Sequence, residues 1–277
     1  MEQLASLGPY PRVSVKETLT AAPGIVDVWC YFYDQSRDEA LSADQAALMG
    51  PEEVARWSKF RFEDDRRMFL AARALARCTL SAYCDVPPAD WRFTVGPHGK
   101  PGIQAPLTAT PLHFNLAHTR GLVVCAVSVA HELVGVDVEC ADGRHTDALA
   151  VADRYFSASE ASALKRLPAS EQDRRFLQQW TLKESYVKAN GWGLNAPLDR
   201  FSFIVGDSDG TIIFDSQLDA APDQWRCATF DPSPHHFGAV CAKTGGRDLS
   251  LRVVESVPLL ESTMLPFDRL NAKGVRA

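Results

Sequence analysis

Hydrophobic residues run through this chain in short alternating or continuous stretches, separated by turns rich in Gly, Pro and Asp. Strand-like stretches include Val26 to Tyr33, Trp91 to Val95, Leu122 to Val129, Leu133 to Glu139, Arg200 to Val205 and Phe237 to Ala242. Two longer segments follow a helical period instead. Pro51 to Tyr83 predicts one long helix, with an apolar stripe through Phe69, Leu70, Ala74 and Leu80. Tyr155 to Asn190 predicts two helices, because Pro168 lacks a backbone donor and crowds the preceding turn. Ser157-Ala-Ser-Glu160 is a capping-box pattern that starts the first of them, and Gly191 stops the second.

The pattern repeats itself. Asp65-Arg-Arg-Met-Phe-Leu-Ala-Ala-Arg-Ala-Leu75 matches Asp173-Arg-Arg-Phe-Leu-Gln-Gln-Trp-Thr-Leu182 with a one-residue gap. Arg92-Phe-Thr-Val-Gly96 echoes Arg200-Phe-Ser-Phe-Ile-Val-Gly206, and Val123-Val-Cys-Ala-Val127 echoes Ala239-Val-Cys-Ala-Lys243. The three pairs keep the same order, which favours duplication over chance. The expectation is an α+β fold of two similar halves packed face to face, with a ligand cleft between them. The boundaries read as an N-terminal extension (1–22), an N-terminal subdomain (23–132), a C-terminal subdomain (133–250) and a C-terminal tail (251–277).

Composition narrows the class. The chain has 277 residues, 46% of them hydrophobic and 23% charged, as in globular proteins with a sizeable core. A formal net charge of -6 argues against a nucleic-acid binder, which needs clustered positive charge. No apolar run approaches the roughly 20 residues that span a bilayer. The start of the chain lacks a basic-then-apolar signal pattern, so cytoplasmic residence without a membrane partner is expected. Seven cysteines without a C-x-x-C pair predict neither a disulfide framework nor a zinc site.

The candidate chemistry lies in five places. In Leu133-Val-Gly-Val-Asp-Val-Glu139, alternation puts the valines on one strand face and Gly135, Asp137 and Glu139 on the other. Two carboxylates so close raise each other's pKa unless a cation lies between them, and Mg²⁺ suits carboxylates plus phosphates. A strand with its acidic face in water would read the same way. In the helix from Phe176, Glu184 falls inside the apolar arc and Lys188 just beyond it, although an i, i+4 ion pair is reason enough for both residues. His118, in Phe114-Asn-Leu-Ala-His-Thr119, is read at a strand entrance, where it could donate to a phosphate or simply be structural. The turn Gly96-Pro-His-Gly-Lys-Pro101 is read as holding Lys100 out at its end. Arg56, Lys59, Arg61, Arg66 and Arg67, mixed with acids, read mostly as a solvated face.

From about Val26 to about Ala242 the chain resembles the Sfp-type 4′-phosphopantetheinyl transferases. The blocks that carry the resemblance are Gly99-Lys-Pro101, Phe114-Asn-Leu-Ala-His118, Gly135-Val-Asp-Val-Glu139, Phe156-Ser-Ala-Ser-Glu160 and Trp180-Thr-Leu-Lys-Glu-Ser-Tyr-Val-Lys188. It implies a pseudo-twofold pair of α+β halves with coenzyme A between them. It also implies Mg²⁺ on Asp137, Glu139 and Glu184, with Asp137 bordering coenzyme A as well, and Lys188 on the pyrophosphate. Arg56, Lys100, Pro101, Asn115 and His118 would line the nucleotide and its 3′-phosphate. The implied reaction passes phosphopantetheine to a serine of an apo acyl or peptidyl carrier protein, in polyketide or nonribosomal peptide synthesis, by a monomeric enzyme. Asn115-Leu-Ala-His118 departs from the family's N-x-S-H by one hydroxyl, and Glu53 and Val54 stand where relatives often carry a basic residue. The rival readings are a non-catalytic coenzyme A-binding protein and a Mg²⁺-dependent nucleotide pyrophosphate hydrolase.

Overall fold

The computed structural model describes residues 24–34, 39–142, 147–205, 212–218, 221–264 and 273–274. The N-terminal extension and residues 265–272 and 275–277 of the C-terminal tail lie outside them. The N-terminal half opens with β1 (Ile25–Tyr31), followed by helices α1 (Glu39–Ala46), α2 (Pro51–Trp57) and α3 (Glu63–Ser81). It continues with the hairpin β2 (Arg92–Val95) and β3 (Pro101–Ala105), then β4 (His113–Thr119) and β5 (Leu122–Ser128). The second half has β6 (Val134–Cys140), α4 (Ala148–Tyr155), α5 (Ala158–Lys165) and α6 (Ala169–Asn190). The hairpin β7 (Phe201–Val205) and β8 (Ile212–Ser216) follows, then β9 (Trp225–Ser233) and β10 (His236–Lys243). The chain ends in β11 (Ser250–Val257), β12 (Glu261–Met264) and β13 (Lys273–Gly274).

The duplication seen in the sequence is present in the strand pairing. One sheet has the order β12-β11-β1-β5-β4 and the other β13-β9-β10-β6. In each half the first strand pairs antiparallel with the last strand of a hairpin, β1 with β5 and β6 with β10. Each half has its long helix, α3 or α6, on its sheet, and each has a separate two-stranded hairpin. The inner faces share one core. Val26 and Val28 of β1, Val124 of β5, Val136 and Val138 of β6 and Val240 of β10 form one buried cluster. Burying that much aliphatic surface is the main force joining the halves.

Three readings are corrected here. Pro51 to Tyr83 is two helices, broken between Trp57 and Glu63 where Phe62 is extended (φ -97, ψ 142). The acids Glu63, Asp64 and Asp65 occupy the first turn of α3, where the helix dipole favours negative charge. Cys227 and Cys241, expected to be free, form a disulfide, with Cα atoms 4.2 Å apart. Fourteen residues separate them in sequence, but the β9–β10 register sets them directly opposite each other. His118 lies inside β4, one residue from its end, rather than at a strand entrance. The predicted α5–α6 break, the Ser157 capping box and the left-handed Gly191 (φ 68) are all present.

β11 completes the first sheet. It runs parallel to β1, and Arg252 binds Asp27 through two bonds of 2.6 and 2.7 Å. The Tyr83 hydroxyl adds a 2.5 Å bond to the same carboxylate.

Candidate active site

Alternation on β6 puts Val134, Val136 and Val138 in the shared core, so Gly135, Asp137 and Glu139 face α6. Gly135 decides how close the helix can come. A Cβ there would lie 2.1 Å from the Ser185 carbonyl oxygen and 2.4 Å from the Ala189 nitrogen. With hydrogen in that place, the backbone of α6 rests directly on β6, which brings Glu184 and Lys188 beside Asp137 and Glu139. The Lys188 ammonium donates to Asp137 Oδ1 at 2.5 Å, while Asp137 Oδ2 is buried without a partner. Trp180, one turn before Glu184, hydrogen-bonds Glu139.

The three carboxylates sense one another. Burial pushes the Glu139 carboxyl up to about 7, and the charges of Asp137 and Glu184 push the same way, against Lys188 and Trp180. Burial also raises Asp137, opposed by Lys188, and raises Glu184, with Asp137 adding to the shift. Among the described residues no group of three or more His, Cys, Asp or Glu side chains is gathered so that it could hold a metal ion as it stands. Instead Lys188 supplies the neutralising charge. The donor set nevertheless fits a hard divalent cation. All its atoms are carboxylate oxygens, one of them is buried and unpartnered, and all three groups resist ionising without added positive charge.

A cavity of about 240 Å³ opens beside this cluster, bordered by Lys100, Pro101, Asn115, Glu184 and Lys188. Lys100 comes from the β2–β3 turn, which Gly99 closes with a positive φ of 88. Its ammonium is not held out to solvent as expected. It donates to the carbonyl oxygens of Ala189 (2.8 Å) and Val134 (3.3 Å), because the unpaired carbonyls at the end of α6 attract a cation. Asn115 is buried on β4, and its Oδ1 accepts from the Val136 amide at 2.9 Å. Four residues on, Thr119 Oγ1 accepts from the Cys140 amide at 3.2 Å. Side chains of β4 thus take the place of ladder bonds where the two sheets meet. His118 is exposed, and its pKa is held below 6.5 by desolvation first, then by the charges of Lys188 and Arg73.

Arg56 lies apart from the acids, in a second cavity of about 560 Å³ that shares Gly99 and Pro101 with the first. Arg73, Arg77 and Arg92 line the same space. Among the described residues, Arg73 and Arg77 are the two of these four arginines paired with a carboxylate, and they share Glu53. Arg77 is further held by the Trp91 and Pro88 carbonyls. Arg73 sits 4.8 Å over the Phe69 ring, its buried Nε lies 3.8 Å from Glu53 Oε1 without a hydrogen bond, and its pKa is lowered by burial against the attraction of Glu53. Sequence reasoning passed over Arg73 and Arg77. Their signal was spacing, since Phe69, Arg73 and Arg77 follow at four-residue steps along one buried helix face.

Comparison with known proteins shows the family of the chain. The profile of the 4′-phosphopantetheinyl transferase superfamily matches residues 133–242, and that of the 4′-phosphopantetheinyl transferase N-terminal region matches residues 36–130. The 4′-phosphopantetheinyl transferase HetI of Nostoc sp. is 34% identical over 222 residues, covering 80% of this chain and 89% of its own. The 4′-phosphopantetheinyl transferase Sfp of Bacillus subtilis is 30% identical over 209 residues, covering 74% and 88%. The acidic strand and the long second helix fall within residues 133–242, and the chain belongs to the 4′-phosphopantetheinyl transferase family.

Proposed function

We propose that this enzyme transfers the 4′-phosphopantetheine arm of coenzyme A to a serine hydroxyl of an apo carrier protein, releasing adenosine 3′,5′-bisphosphate. The observation that carries the reading is the meeting of Asp137 and Glu139 with Glu184 and Lys188 beside an open cavity at the seam of the two halves. Asp137, Glu139 and Glu184 are the residues that would hold Mg²⁺. When bound, that ion neutralises charge on the pyrophosphate.

The chain's own residues do the rest. Lys188, now on Asp137, is placed to donate to a phosphate oxygen, which matters because phosphoryl transfer depends on positioning and charge neutralisation. Lys100 and Pro101 border the same cavity and orient the diphosphate, and Asn115 holds the cavity wall to β6. The arginine-lined cavity next to it suits the nucleotide and its 3′-phosphate, with Arg56 and Arg73 as donors. Glu184 is the candidate base for the serine proton, since burial and Asp137 raise its pKa toward a useful range. We assign the carrier to polyketide or nonribosomal peptide synthesis, and the working form to a cytoplasmic monomer. Among the described residues no helix is long and apolar enough to cross a membrane.

The deciding experiment is intact-mass spectrometry of an apo carrier protein incubated with the enzyme, coenzyme A and Mg²⁺. The carrier gains the mass of one phosphopantetheine, and its Ser→Ala variant does not. An unchanged carrier with cleaved coenzyme A would make the protein a hydrolase. Unchanged carrier with intact, bound coenzyme A would make it a binding protein.

A further inference from the structure

Immediately before Glu184, Lys183 points about 100° away from it around α6. Its ammonium is wholly buried and has three partners, Glu160 Oε2 at 2.8 Å, the Leu198 carbonyl at 2.8 Å and the Phe201 carbonyl at 2.6 Å. The Phe201 ring lies 4.4 Å from it and the Phe156 ring 5.4 Å. Glu160 is as fully engaged. Its Oε2 also accepts from the backbone and hydroxyl of Ser157, and its Oε1 accepts from the Phe203 amide at 2.8 Å. One buried ion pair thus ties α5, α6, the turn at Leu198–Arg200 and β7 together.

Such a pair is a poor way to add stability. Removing two charges from water costs heavily, and an apolar pair of similar volume often serves as well. What an apolar pair lacks is direction. Successive helix residues point about 100° apart, so fixing the azimuth of residue 183 fixes that of residue 184. On the β6 side the backbone of α6 rests on Gly135, and Lys183 anchors the helix from a different azimuth.

We infer that the buried Lys183–Glu160 pair is a positioning element that sets the rotation of α6 and so aims Glu184 at Asp137 and Glu139. The inference rests on the proposed role of Glu184. Lys183 has no exposed surface and touches no substrate, so it acts through its neighbour.

The test is a double-mutant cycle read in transfer kinetics, with thermal melts to certify folding. Lys183→Met lowers kcat about 10- to 100-fold through misplacement, with KM for coenzyme A little changed. In a Glu184→Gln background the same substitution costs nothing further, because its target is already gone. A merely structural lysine would lower Tm and leave the kcat of the folded protein alone. Wild-type kcat in folded Lys183→Met, or losses that multiply in the double variant, would overturn the inference. If Lys183→Met does not fold, Glu160→Gln carries the same cycle, since it keeps the shape and loses the charge. Full activity in the Glu184→Gln single variant would overturn both the role of Glu184 and this inference, and it is read from a different protein than the cycle's other failures.

Discussion

The two halves share one plan and differ where their long helices meet their first strands. Cys125 on β5 pairs with Trp29, and its counterpart Cys241 on β10 pairs with Gly135. Two residues along each strand, Tyr31 corresponds to Asp137, and beyond it Tyr33 to Glu139. The first half therefore fills the space under α3 with aromatic rings among Ala71, Ala72, Leu75 and Ala76. The second half empties it at Gly135 and lines the remainder with acids. The helices differ in the same way, for Arg73 and Arg77 stand where α6 has Trp180 and Glu184. One copy of the unit kept a packed core and turned its helix basic, and the other gave up packing for a charged seam. The basic side suits the nucleotide phosphate and the acidic side a divalent cation.

The largest effect expected from this contrast is at Asp137. Asp137→Ala removes the buried carboxylate and leaves Lys188 without its partner, so transfer falls about 100- to 1,000-fold. Tyr31→Phe, at the matching place in the first half, leaves kcat at the wild-type value. Steady-state kinetics on the two variants check the pair, and retained activity in Asp137→Ala would end the acidic-seam reading.

Next come Gly135 and Trp29, which bear on packing. Gly135→Ala sets a methyl carbon against the α6 backbone, and the helix must move away from β6. Displacing Glu184 and Lys188 by about an ångström lowers kcat on the order of 100-fold. Trp29→Ala does the reverse. It costs about 3–5 kcal/mol of stability as a buried aromatic truncation, seen as a lower Tm, while the folded protein keeps its kcat. Equal kinetic damage from both would mean that the halves do not divide packing and chemistry.

A smaller effect belongs to Arg73. Arg73→Met keeps an unbranched apolar side chain beside Phe69 and removes the guanidinium, so KM for coenzyme A rises about tenfold with kcat unchanged. Coenzyme A lacking its 3′-phosphate should show no such difference between Arg73→Met and wild type. A difference of the same size for both substrates would move Arg73 away from that phosphate.

Local pattern made much of this legible. Alternation along β6 and the helical arc of α6 brought out Asp137, Glu139, Glu184 and Lys188, because each needs only neighbours in sequence to be read. The repeat showed the doubled plan for the same reason. Non-local pairing hid the rest. Nothing near Leu251 announces that β11 lies parallel to a strand more than two hundred residues earlier, and Cys227 faces Cys241 only through hairpin register. Lys100 was read from its turn, while its partners lie on β6 and at the end of α6. The break before α3 could have been read, since Glu63-Asp64-Asp65 is a helix start laid inside an otherwise helical pattern.

The least of the expected effects tests the joint between the halves. His131 lies between β5 and β6, is 1% exposed, and neither ring nitrogen has a partner among the described residues. Desolvation holds its pKa below 6.5, and the nearby charges of Arg247 and His113 add to the shift. An imidazole whose folded pKa is depressed contributes stability that is complete above the unfolded value of about 6.5. That contribution is lost as the pH falls through the folded value, because the unfolded chain takes up the proton first. Glu139, raised to about 7, adds stability over the same range, so the effect of His131 is read as a difference: between neutral pH and about pH 5 the wild type should lose a few degrees of Tm relative to His131→Phe. Equal pH slopes in wild type and His131→Phe would show that His131 stays uncharged in both states over this range. Because the residue lies in the connection, near-ultraviolet signals from Trp29 in one half and Trp225 in the other should melt together as the joint is acidified. Separate transitions would show that, once the joint is acidified, the shared aliphatic core is not enough to keep the two halves folding as one.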